Sequence, residues 1–355
     1  MKRIFTLFLA GVSICAAAQN SPYISKVYDF LPAPGQFVNE LPEYMDGDSH
    51  EAILAKVEEQ ICGDKNPGMI SLGAFGGYVV FGFDHPVANV EGAYDFKIYA
   101  NAFMAAGSSA GGSCEPGIVM VSVDANGNGL ADDEWYELAG SDYGKETTIK
   151  NYSITYYKPD ADKTPTADGM ITDSTYIRWT SSEGDEGYVM KNSFHNQSYW
   201  PEWYEGETME FIGTKLADNA FDQSGNGSYY VLTRLDWGYA DNYANDIDEG
   251  FKIDWAVDAQ GNPKHLTHID FVKVYTAVNQ YCGWIGETST EICGAEDLHP
   301  DAEVVGVDAV DADGDVLTLM ASNAYGVALR NGGEAMEAQI YSVGGGIVKK
   351  TVLAS

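Results

Sequence analysis

The chain has 355 residues, 12% of them aromatic, and sets 53 acidic against 20 basic side chains for a formal net charge of −33. A negative surplus of that size repels nucleic acid and anionic lipid and argues against both as partners. Cations, neutral ligands and plain solubility are the roles it leaves open.

Residues 1–18 read as an export leader. Lys2 and Arg3 form its basic start, Ile4 to Ile14 an apolar core, and Ala16, Ala17 and Ala18 the small residues before cleavage. That apolar run is too short to span a bilayer, and no later stretch qualifies. Four cysteines follow the leader, Cys62, Cys114, Cys282 and Cys293. An even number in an exported chain predicts two disulfides, with three pairings open. Closeness in sequence favours Cys282 with Cys293, leaving Cys62 with Cys114. The spacing does not match a zinc site.

Residues 19–47 contain Pro22, Pro32, Pro34 and Pro42 and predict an extended segment, with Phe30, Phe37 and Tyr44 as apolar anchors. A helix follows over 49–61. Asp48 or Ser49 can cap it, and Ile53, Val57 and Ile61 share one face. From Met69 the pattern turns to short strands rich in β-branched and aromatic residues, expected at 76–84, 94–103, 117–124, 134–140, 152–159, 175–180, 187–192, 209–213, 228–235, 251–258 and 269–278. No helices alternate with them. This predicts an all-β protein, an antiparallel sandwich of jelly-roll type over 48–300. The loops at 104–116, 159–174 and 236–250 exceed hairpin length, which is where binding residues tend to sit. After Pro300 a weaker strand pattern marks a small β-rich tail, 301–355.

Two features carry candidate chemistry. In "VDANGNGLADDEWYELAG", Asp124, Asn126 and Asn128 alternate, followed by the Leu130 carbonyl, Asp132 and Glu134. That ladder of oxygens resembles a calcium loop, although Trp135 stands where an EF-hand places its bidentate Glu. The competing reading is a solvated Asn-Gly turn. The second feature is aromatic. "YWPEWYEGE" holds Tyr199, Trp200, Trp203 and Tyr204, and "LDWGYADNY" holds Asp236, Trp237, Tyr239, Asp241 and Asn242. Ring faces stack on sugars or flat cofactors while carboxylates and amides take their hydrogen bonds; the competing reading is ordinary core. No nucleophile elbow, metalloprotease helix or phosphate-cradling loop is present. A glycosidase needs only two carboxylates, and the sequence singles out no pair.

The stretches "SLGAFGGYVVFGFDHPVANVEGAYDFKIYANAF", "SGNGSYYVLTRLDWGYADN" and "IDFVKVYTAVNQYCGWIGETSTE" resemble a family of Bacteroidetes cell-surface proteins often labelled PKD-like. The resemblance spans about residues 28–300 and implies an exported β-sandwich similar to galactose-binding-like jelly rolls. Surface proteins of comparable make-up accompany corrinoid uptake systems, which implies a corrinoid as one ligand and an outer-membrane uptake protein as one partner. The tail "AQIYSVGGGIVKKTVLAS" resembles the start of a type IX secretion sorting domain. The expectation is thus an exported, non-catalytic surface protein that captures a glycan or a corrinoid, with calcium stiffening 124–134. A carbohydrate-active hydrolase and a structural or adhesion module are the alternatives.

Overall fold

The computed structural model describes residues 20–355 except 107, 109–110, 303, 305–309, 313–314, 324–325, 332–335, 342–346 and 354–355. The leader expected over 1–18 lies outside the described residues.

Six antiparallel strands form the central sheet, in the order Lys26–Leu31, Tyr78–Gly82, Phe271–Thr276, Gly117–Ser122, Trp135–Leu138 and Ala256–Val257. Register explains why this sheet can be buried on both faces. Val79, Val274 and Val119 stand side by side on neighbouring strands, as do Phe81, Val272 and Val121. These six point into one apolar core together with Phe30 and Leu138. The alternate positions Tyr78, Tyr275 and Ile118 are paired in the same way but belong to the core on the other face. Side chains on successive strand residues point to opposite faces, so one run of apolar residues serves two cores.

The first core is closed by the helix His50–Ile61, whose buried face is Ile53, Val57 and Ile61. Ser49 caps it, its side chain accepting the Ala52 N–H. The second core is closed by a four-stranded sheet ordered Glu186–Asn192, Ile171–Ser181, Ile149–Tyr157 and Thr208–Lys215. That sheet is one-sided. Tyr152, Ile154, Tyr156, Met209 and Phe211 are buried against Phe75 and Tyr275, whereas Ile212 between them is exposed. The Tyr156 hydroxyl donates to the Phe75 carbonyl and the Tyr275 hydroxyl accepts the Thr214 N–H, tying the two sheets through the core.

The all-β sandwich and the helix are as expected; the strand expected over 94–103 is split into Phe96–Tyr99 and Phe103–Met104, and two other local differences have a clear cause. Lys26–Leu31, inside the proline-rich segment, is an edge strand of the central sheet paired with Tyr78–Gly82. The strand expected over 251–258 is mostly a 3-10 turn, Ile253–Trp255, followed by the two-residue strand Ala256–Val257. The Asp95 carboxylate makes that turn, accepting the N–H groups of Val90 and Ile253. In the tail, Val310–Ala312, Asp315–Asn323 and Gly326–Asn331 form a three-stranded sheet, and Met336–Tyr341 pairs with Ile347–Leu353.

Phe30 is fully buried on the edge strand. Phe30→Ala is expected to lower unfolding stability by about 3–5 kcal/mol in a denaturant titration, the usual cost of removing a core aromatic. A loss below about 1 kcal/mol would show that the edge strand does not depend on this core.

Candidate ligand-binding clefts

Residues 193–207 connect the strand Glu186–Asn192 to Thr208–Lys215, and the proline-rich N-terminal segment braces them. The Asn39 side-chain amide donates to the carbonyls of Ser198 and Trp200, each at 2.9 Å, and its oxygen accepts the Glu202 N–H at 2.9 Å. The Gly35 N–H donates to the Tyr199 carbonyl and the Gln197 amide to the Gln36 carbonyl. The four aromatics of this segment take different roles. Tyr199 and Trp200 are buried in the second core. Tyr199 meets Tyr176 edge-on at 5.5 Å, and its hydroxyl donates to the His195 carbonyl. Trp203 and Tyr204 are half-buried. Trp203 lies parallel to the His50 ring at 5.0 Å, and Tyr204 stands edge-on to both tryptophans.

Two clefts flank this segment. The narrower, about 620 Å³, is lined by Tyr176, Trp200 and Tyr204 together with Lys158, Lys163 and Lys191. The wider, about 880 Å³, is lined by Tyr44, His50, Tyr78 and Trp203 with Asp29 and Asp48. Glu202 and Tyr204 line both, so residues 202–204 form the ridge between them. The indole N–H groups of Trp200 and Trp203 are buried without an acceptor among the described residues. Several cleft carboxylates are already engaged. Asp29 accepts the Tyr78 hydroxyl at 2.6 Å, Asp48 pairs with Lys56 at 2.5 Å, and Asp173 pairs with Lys163 at 3.3 Å.

The second aromatic loop does not join these clefts. Trp237 is partly exposed and leans on Trp255 at 4.7 Å. Tyr239 is buried, its hydroxyl accepting the Asp142 N–H. Asn242 is buried and closes its own loop, exchanging hydrogen bonds with the backbone of Leu235. Asp236 uses its backbone carbonyl to accept the Tyr243 hydroxyl. Asp241 is buried with a left-handed backbone, φ 52°, and accepts the N–H groups of Asn101 and Glu291. Tyr239, Asp241 and Asn242, expected as ligand contacts, therefore point into the protein and hold it together.

The oxygen ladder at 124–134 closes on itself. Asp124 accepts the N–H groups of Asn128 and Gly129, at 3.0 and 2.8 Å, and Asn128 accepts that of Leu130 at 2.7 Å. Asp132 is drawn in by the side-chain amides of Asn126 and Asn128, each at 3.2 Å. Glu134 turns away to accept the Tyr136 hydroxyl. The pattern Asp-x-x-Gly-Asn recurs at 222–226 and 258–262, where Asp222 accepts the Gly227 N–H and Asp258 the Asn262 N–H. Short aspartate-braced turns are thus a repeated device of this chain; the 124 loop differs in bringing a second carboxylate, Asp132, onto it.

The disulfide expectation is not met: Cys62, Cys114, Cys282 and Cys293 are free thiols. The turn 282–286, closed by the Cys282 N–H on the Gly286 carbonyl, sets Cys282 beside Cys114 and Leu232. Cys293 instead precedes the strand Gly294–Asp297, its N–H on the Tyr99 carbonyl. Burial pushes the thiols of Cys62, Cys282 and Cys293 up to about 12 and that of Cys114 up to about 11.

Asp241, expected as a ligand contact, instead converges with two acids that the sequence does not single out, Glu115 and Glu291. Glu115, Asp241 and Glu291 place one oxygen each within 4.8 Å of one another. Ser113 donates to Glu115, and Ser71 and Ser289 donate to Glu291. Burial and then the neighbouring charges hold Glu115 and Asp241 well above the usual carboxylate range, and burial lifts Glu291 to about 6. Three like charges at this distance share protons or one cation. Glu287 lies nearby. Its Oε1 accepts the Gln36 N–H at 2.7 Å, and its Oε2 is buried without a partner among the described residues. Burial, reinforced by the charge of Glu291, lifts it to about 8.

No protein-family model matches the chain. No curated protein matches it.

Glu287 keeps its proton in the folded protein up to about pH 8, against an ordinary value of 4.5. The fold therefore binds one proton more than the unfolded chain across that window and loses stability as pH rises through it. Melting curves in EDTA are expected to show the melting temperature falling from pH 5 to 8.5, with a shallower fall in Glu287→Gln. Equal slopes in the two proteins would contradict this assignment.

Proposed function

We propose that the chain is an exported cell-surface protein that captures a glycan in the clefts beside residues 199–204, without performing chemistry on it. The observation that carries this reading is the ridge at 202–204. It presents Tyr204 to two clefts at once, each within the size range of small-ligand sites and each combining ring surfaces with polar side chains. Asp29, Asp48 and Asp173 are held by structural partners, whereas Asp46, Glu202 and Glu205 also line the clefts, so a carbohydrate-active hydrolase is the alternative reading. Export rests on the leader pattern at 1–18, and a corrinoid as the alternative ligand rests on the family resemblance, as does delivery to an outer-membrane uptake protein. Among the described residues no helix is long and apolar enough to cross a membrane. Calcium belongs to the same proposal as a stiffener of the 124–134 turn, supported by Asp132 closing on Asn126 and Asn128.

Calorimetric titration of the purified chain against a neutral and acidic glycan panel and cobalamin, in calcium, tests this reading. At least one glycan class is expected to bind, and Tyr204→Ala to weaken it about tenfold, ~1.4 kcal/mol, when measured below the onset of thermal unfolding of the variant. Heat from no glycan would overturn glycan capture, and heat from cobalamin alone would move the ligand to the corrinoid. For the calcium part, EDTA is expected to lower the melting temperature of the wild type and leave Asp124→Ala unaffected; no effect of EDTA on either protein would remove calcium from the account.

A further inference from the structure

Three of the chain's 20 basic residues, Lys158, Lys163 and Lys191, line the narrower cleft. Their charges are met differently. Lys163 is held by the Asp173 carboxylate at 3.3 Å and by the carbonyl and hydroxyl of Thr175. Lys158 lies on the rim, 3.6 Å from the exposed Glu207. Lys191 is half-buried, and among the described residues its ammonium is within ion-pair distance of no carboxylate. It lies instead 4.9 Å from the ring centre of Tyr176 and 5.8 Å from that of Tyr199.

Asp173, directly across the strand pair from Lys191, makes its ion pair with Lys163 and not with Lys191. That carboxylate already accepts the Lys163 ammonium, the N–H groups of Thr166 and Thr175, and the Thr175 hydroxyl. Asp160, also in the cleft wall, accepts the Asp162 N–H of its own turn. Ring faces hold a cation in place but do not neutralise it. Burial disfavours the charge on Lys191 and lowers its pKa, with Asp173 acting in the opposite sense. A half-buried ammonium with no carboxylate within ion-pair distance among the described residues, in the lining of a cleft that also carries Trp200, Glu202 and Tyr204, leaves one position at which an anion is favoured.

We propose that this cleft takes an acidic sugar, with Lys191 Nζ on its carboxylate or sulfate and Tyr204 against the sugar ring. The proposal rests on the glycan-capture reading above and names the ligand class. It is confined to the contact at Lys191, since the −33 charge of the whole chain disfavours long polyanions.

The test is calorimetry on the full chain with trigalacturonic acid, its fully methyl-esterified form, and a sulfated disaccharide. Wild type is expected to bind the acid or the sulfated sugar at least tenfold more tightly than the ester. Lys191→Gln should bring that affinity down to the level of the ester without changing ester binding or the melting temperature, and Lys191→Arg should retain the preference. Which anionic probe binds identifies carboxylate or sulfate as the source of the charge. Equal affinity for acid, sulfate and ester in wild type overturns the proposal, as does a preference that survives Lys191→Gln. If neutral glycans bind and no acidic one does, the acidic-sugar inference fails and glycan capture stands. If no glycan of either kind binds, both fail.

Discussion

Burial of both faces of the central sheet is the constraint on which the remaining structure depends. The paired ladders Val79–Val274–Val119 and Phe81–Val272–Val121 supply one core, and Tyr78, Tyr275 and Ile118 supply the other. Such a sheet needs a cover on each side, because an uncovered apolar face would be left in water. The helix His50–Ile61 is one cover and the four-stranded sheet is the other. The polar groups of the chain are left to the rims and to a few interior sites, among them the Glu115–Asp241–Glu291 group.

The aromatic segment 199–204 sits where these layers meet. Trp200 packs into the core between the sheets, and Trp203 packs on the helical side, against His50 and near Phe30. One short stretch therefore bridges two cores, and its backbone is fixed by Asn39 from the N-terminal segment. A ridge held from both sides is pre-organised for binding, since a ligand need not order it. The same reasoning separates this loop from residues 236–243, where Tyr239, Asp241 and Asn242 supply the internal bracing themselves.

Period-two patterning and a capping serine made the strands and the helix legible in the sequence, because both signals are local. The strand Lys26–Leu31 was obscured by the prolines that follow it, and the turn Ile253–Trp255 by its dependence on Asp95, more than 150 residues away. The aromatic pattern marked 199–204 and 236–243 equally, since composition carries no information about which way a ring points. The Glu115–Asp241–Glu291 group was invisible for the same reason: its members come from three distant segments, and only folding brings them within 4.8 Å. Lys191 carried no signal, because its lack of an ion pair among the described residues depends on Asp173 being engaged by Lys163, Thr166 and Thr175.

The proposed glycan would be held on the two sides of residues 202–204. Hydrogen–deuterium exchange of the full chain, with and without a saturating oligosaccharide, reads this directly. Slowed exchange is expected at 158–165, 172–176 and 190–206, or at 29–31, 44–50, Tyr78 and 202–206, the segments that line the clefts. Slowed exchange at 236–243 with no change in those segments would contradict that placement.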